Sequence, residues 1–239
     1  DGIERTTHPW IALKNGDVSD VPIMHGSNSD EGILFVALDG RKRVNMSELI
    51  EYWTNDMKYT SMDIAILSEI YLVQDRDSYP DTGRKVTTTE WWALQRSTGD
   101  NMFSCPAKYV SIQLSTLQQE NKRVHDVFFY HFNYTSMMSE YAIHSSELPY
   151  ALHWDLATSI NVGLADTMSE YWGNFVLDPH HSPSTTSATT DTDVLTWTPY
   201  DTSTDQVIIL TDVYSSMLSG LKKNACDFHI AYLDRQIRK

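Results

Sequence analysis

The sequence is poor in positive charge. Lys and Arg number 18 against 32 Asp and Glu, giving a formal charge of −14 and a pI near 4.9. A surface that acidic repels phosphate backbones, so nucleic acid is not an expected partner. No stretch approaches the run of about 18 apolar residues that a membrane helix needs, so no membrane span is expected. No Gly-rich phosphate loop is present, which argues against a nucleotide enzyme. No internal repeat is found. Neither an initiator Met nor a signal peptide precedes Asp1-Gly2, so processing or fragmentation is expected. There are two cysteines, Cys105 and Cys226. Composition leaves open whether they pair, and in the cytosol both would be free thiols.

What is present suits one sizeable core. The chain has 239 residues, 41% of them apolar and 11% aromatic, which is a globular composition. Strands and helices alternate in the pattern. Val21–His25 is a short apolar run ending in turn-rich residues and reads as a buried strand. Thr60 is placed to cap a helix running through Leu67 and Tyr71, with Asp63 near its positive end. Apolar spacing from Trp91 to Leu117 reads as two successive helices, broken near Gly99 and Pro106. Val127–Phe132 is β-branched and aromatic and is the strongest strand signal. Leu156–Phe175 reads as a long helix with Gly163 a weak point, Val207–Leu210 as a short strand, and Ala225–Ile237 as a closing helix. Ser182–Asp193 is rich in Ser and Thr and reads as a solvated insertion within one domain spanning residues 1–239.

Two places could carry chemistry. In Gly26-Ser27-Asn28-Ser29-Asp30-Glu31-Gly32, a buried strand leads into a turn with adjacent carboxylates. Such strand ends are where α/β proteins put reactive side chains. Two solvated loop acids would give the same pattern. The second place is His144, in the connection after the strong strand. Its imidazole can act as base and acid near neutral pH, although a hydrogen-bonded loop histidine reads alike. Acid followed by histidine is the order of the last two members of an α/β-hydrolase triad. The first is absent: no G-x-S-x-G occurs in the 239 residues. A triad without its nucleophile cannot transfer an acyl group. Adjacent histidines of an extended chain point to opposite sides, so His180-His181 is a poor metal pair and no metal or cofactor is expected. Trp53, Trp91, Trp92 and Trp172 read as core or rim aromatics.

Taken together, the motifs resemble those of the type-B carboxylesterases, the cholinesterase-like branch of the α/β-hydrolases. Gly26 to Gly32 is similar to that family's G-x-N-x-D-E-G. The resemblance makes Glu31 the triad acid and Asp30 its supporting neighbour. Asp1-Gly2, Pro9 and Val21-Pro22 resemble the approach to that strand. Asp100 to Pro106 is similar to D-x-x-F-x-C-P, and Ile143 to Leu148 to the catalytic-histidine loop, usually H-G-x-E-[LI]. Tyr171 to Phe175 matches Y-W-x-N-F, and Trp197 to Tyr200 resembles W-P-x-Y. The resemblance implies an α/β fold, a mixed and mostly parallel sheet flanked by helices. That fold would be incomplete without an N-terminal half carrying the serine. It also implies a Cys105–Cys226 bridge and hence an oxidising, secreted or lumenal setting. Glu147, three residues past His144, would be a buried supporting acid, though a helix-start carboxylate facing water is equally consistent. Two sequons, at Asn45 and Asn133, would then lie on the surface.

The sequence also departs from that family. Ser145 stands where a glycine is usual, and a loop needing positive φ would be strained there. Leu177 to His181 replaces T-G-x-P-N. The expected function is a carboxylic ester hydrolase in which this chain supplies Glu31 and His144 and a separate N-terminal half supplies the serine. The competing expectation is an inactive cholinesterase-like adhesion or assembly protein. The substrate would be a small ester, with Ile33, Leu34 and Phe35 either lining its pocket or packing in the core.

Overall fold

The computed structural model describes residues 2–4, 6–36, 43–76, 87–135, 140–154, 160–184, 195–211 and 215–237. Among the described residues, four strands form one sheet in the order β1 (Ile23–Asn28), β2 (Val127–Phe132), β3 (Gln206–Leu210) and β4 (Ser216–Ser219). The first three run parallel and β4 is antiparallel to β3. This is a mixed, mostly parallel sheet flanked by helices.

Strand β2 shows why the sheet is buried on both sides. Successive side chains point to opposite faces. Phe128 and Phe132 join Ile208 and Leu210 in a core with α6 (Leu148–Ala151) and α7 (Val162–Leu177). Val127 and Phe129 face the other way, against the side of α5 (Cys105–Gln119). A central parallel strand with helices on both faces must be apolar throughout, which is why VFFYHF is legible as a strand. On α7 the inward residues are Leu164, Ala165, Met168 and Tyr171, at helical spacing. Each large side chain buried there stabilises the fold by about 1.5–3 kcal/mol.

Strand β1 begins and ends later than the Val21–His25 run suggests. Arg123 donates through its guanidinium to the carbonyls of Ser19 and Val21, so that segment is held by a side chain instead of a ladder. The strand continues through Gly26-Ser27-Asn28, opposite Tyr130, His131 and Phe132. Gly26 is required there, since a β-carbon would lie 2.3 Å from the Tyr130 carbonyl oxygen.

Ahead of the sheet lies the short helix α1 (Pro9–Asn15). A second helical layer holds α2 (Met46–Asn55), α3 (Ser61–Ser68), α4 (Thr89–Gly99) and α8 (Lys223–Ile237) around Trp53, Tyr71, Trp91 and Trp92. Thr60 caps α3 reciprocally with Asp63, and Asn45 caps α2 in the same way with Glu48. Trp91 to Leu117 is not two separate helices. Asp100–Ser104 forms a π-helical turn that joins α4 to α5. The wider turn absorbs Pro106 at the start of α5 without ending the helix. Helix α7 starts at Val162, not Leu156, because Asn161 Oδ1 accepts the Leu164 N–H at 3.1 Å and sets the N-cap. Gly163 therefore sits in the first turn, where it weakens little. Residues 155–159 lie outside the described residues, as do 185–194, which include most of the Ser/Thr-rich segment. A disulfide joins Cys105 to Cys226 and ties the start of α5 to α8 across 121 positions. Among the described residues, no helix is long and apolar enough to cross a membrane.

Candidate functional site

The site forms at the C-terminal ends of β1 and β2, where parallel sheets leave a crevice. After Asn28 the chain turns into a 3-10 helix, Glu31–Leu34. Glu31 is 5% exposed. The Asn28 N–H donates to its Oε1 at 2.7 Å, and its Oε2 lies 2.7 Å from His144 Nδ1. The two residues are thus joined across 113 positions. Burial is the main force pushing the Glu31 carboxyl above its usual range, and the Asn28 and His144 hydrogen bonds oppose it.

The histidine is presented rather than buried: its side chain is 40% exposed, against 7% for Glu31. With Nδ1 committed to the carboxylate, Nε2 is left for another partner. Two aromatic rings flank the imidazole, Phe103 at 4.8 Å and Phe35 at 5.1 Å between centroids. Phe103 comes from the π-helical turn and Phe35 from the residue after the 3-10 helix. Of the three candidate pocket residues, Ile33 packs into the core, whereas Leu34 and Phe35 face outward.

Asn28 ties the acid turn to the histidine loop. Its Nδ2 donates to the Ile143 carbonyl at 2.8 Å and to Glu147 Oε2 at 2.5 Å. Glu147 is therefore turned toward Asn28 and makes no cap bond to α6. Asp30 works on the other side. Its N–H donates to the Ala142 carbonyl, its Oδ2 accepts the Ala142 N–H at 3.1 Å, and its Oδ1 pairs with Arg96 at 2.9 Å. Ser145 adopts φ 68°, the left-handed conformation that a glycine would take without strain.

Asn28, Arg96 and Phe103 are site residues that sequence reasoning did not single out. Asn28 and Phe103 stand inside motifs already quoted. Arg96 has no signal beyond its position on a helix. The remaining candidates lie elsewhere. His181 Nδ1 pairs with Asp178 at 2.7 Å, and His180 packs against His125 at 5.1 Å. Among the described residues, no cluster of three His, Cys, Asp or Glu is arranged to hold a metal. Asn45 and Asn133 are both exposed.

Two comparisons bear on this arrangement. The structure superposes on the crystal structure of Aspergillus niger EstA with a TM-score of 0.70 at 19% identity, covering 97% of this chain. The fold is thus that of an α/β-hydrolase. This chain spans only 43% of the EstA chain, consistent with a partial fold. The profile described as the carboxylesterase family matches residues 3–229. With nearly its whole length matched, this chain belongs to the carboxylesterase family.

Proposed function

We propose that this chain supplies the acid and the base of a serine carboxylic ester hydrolase. The reading is carried by the 2.7 Å contact between Glu31 Oε2 and His144 Nδ1, with the carboxylate buried and the imidazole open. In this mechanism His144 Nε2 takes the proton of an attacking serine hydroxyl and returns it to the leaving alcohol. Such proton transfer contributes about 10²–10⁴-fold in rate. Glu31 holds the Nδ1–H tautomer and stabilises the imidazolium as it forms. The serine and the oxyanion donors come from a preceding half, on a sharp strand-to-helix turn. That half also pairs with the outer edge of β1, the end strand of this sheet. The 239-residue chain by itself is then poorly folded, and a monodisperse, cooperatively melting monomer would contradict this. Secretion and glycans at Asn45 and Asn133 fit the disulfide and the exposed sequons.

The alternative is an inactive adhesion or assembly relative. One observation favours it: Ser145 is strained beside the histidine, at φ 68°. A fluorophosphonate probe on the complete protein separates the two. Labelling that disappears on His144→Ala supports the hydrolase. Labelling that persists removes His144 from the mechanism, and no labelling of the wild type favours the inactive relative.

A further inference from the structure

Asp30 is a buried carboxylate beside the proposed acid, and it touches two separate parts of the chain. It is 4% exposed. Through its N–H and Oδ2 it grips both backbone groups of Ala142, two residues before His144. Through Oδ1 it meets the guanidinium of Arg96 on α4, whose side chain is 17% exposed. Arg96 is held over the Trp92 ring, with its guanidinium carbon 5.7 Å from the ring centroid. The backbone of α4 also presses directly on the acid turn, because a β-carbon on Gly32 would stand 1.9 Å from the Gln95 carbonyl oxygen. Helix α4 is thus the fixed body from which the histidine loop hangs.

We propose that Arg96 is a positioning residue for His144, acting through Asp30 and Ala142. This rests on reading His144 as the base. A buried carboxylate that loses its cation either takes up a proton or draws in water. Either change loosens its bond to the Ala142 N–H and lets the following residues drift from Glu31. A displacement of about 1 Å at a reacting group slows catalysis on the order of a hundredfold. Substrate binding does not depend on that alignment, so the loss falls on kcat and leaves KM in place.

The test uses the complete protein with p-nitrophenyl acetate, together with proton NMR of histidine side chains. In the wild type, the downfield Nδ1 proton of His144 is assigned by its loss in His144→Ala. Arg96→Met is expected to lower kcat roughly ten- to a hundredfold at unchanged KM. It also broadens or shifts that proton. Arg96→Lys, which keeps the charge, recovers part of both. Asp30→Asn combined with Arg96→Met removes the stranded charge and keeps an acceptor for Ala142, so it exceeds Arg96→Met alone but stays below the wild type. A folded Arg96→Met protein with wild-type kcat and an unaltered proton overturns the proposal, as does a loss confined to KM. If Arg96→Met does not fold, wild-type values in the double variant overturn it. Full activity in His144→Ala would defeat the hydrolase reading instead, and the NMR arm would still decide the role of Arg96.

Discussion

Gly99 and Gly32 meet backbone to backbone, so that a β-carbon on Gly99 would stand 2.8 Å from the Gly32 nitrogen and 3.3 Å from the Glu31 β-carbon. Neither neighbour can swing aside, because the nearest atoms are main chain. Gly32→Ala is the harsher change, with its new methyl 1.9 Å from the Gln95 carbonyl oxygen. The helix and the acid turn must separate to admit it. Such overpacking costs about 1–3 kcal/mol or more. Chemical denaturation of the complete protein should show that loss for Gly32→Ala, and unaltered stability would mean the two segments slide freely.

Ser145 offers the opposite case. A residue with a β-carbon at φ 68° is disfavoured by about 1–2 kcal/mol relative to right-handed conformations. Glycine relieves that strain and gives back part through its freer unfolded chain. Ser145→Gly is therefore expected to raise stability by about 0.5–1 kcal/mol without loss of activity. A lower melting temperature would show that the serine side chain makes a contribution larger than its strain.

Acid should destabilise the protein before its carboxylates titrate. Burial holds His25 and His229 down to about 4. His229 is enclosed by the hydroxyls of Tyr71 at 2.9 Å and Tyr59 at 3.3 Å, with Asp100 and Lys222 nearby. Above the ordinary histidine value, both folded and unfolded chains are neutral at these sites, and the stability is fully present. Below it the unfolded chain binds protons that the folded one refuses, so stability is lost until the pH reaches the folded value. Each histidine contributes about 3 kcal/mol to that loss. Denaturation curves between about pH 6.5 and 5 should steepen accordingly, and His229→Gln should flatten them. An identical slope in that variant would clear His229 of the effect.

The bridge between Cys105 and Cys226 closes a loop of 121 positions. In the chain-entropy picture such a crosslink stabilises by about 4–5 kcal/mol. Cys226→Ala should therefore lower the melting temperature of the complete protein sharply, and non-reducing peptide mapping of the wild type should find Cys105 joined to Cys226. Alkylation of both Cys105 and Cys226 in the unreduced wild type would show that the bond does not form.

Legibility in the sequence followed the local physics. Val127–Phe132 was readable to the residue because both faces of a central strand demand apolar side chains. Strand β4, Ser216-Met217-Leu218-Ser219, was not. It is short and mostly exposed, and only its antiparallel register with β3 makes it a strand. Gly26-Ser27-Asn28 looked like a turn because such residues favour turns, yet pairing with β2 overrode the preference. Glu31 and His144 could be named because each follows a strand and stands in a motif. Arg96 could not, since only tertiary packing brings it to Asp30.

The π-helical turn at Asp100–Ser104 fixes where its own side chains point. It lets one continuous helix send Asp100 to Tyr71, Phe103 to His144 and Cys105 to Cys226. Such a turn carries one residue more than an α-helical turn, so deleting a single residue there would rewind it to an α-helix while the flanking segments keep their phase. The side chains of the turn itself, Asp100 and Phe103, would then lose their places against Tyr71 and His144, whereas Cys105 would still face Cys226.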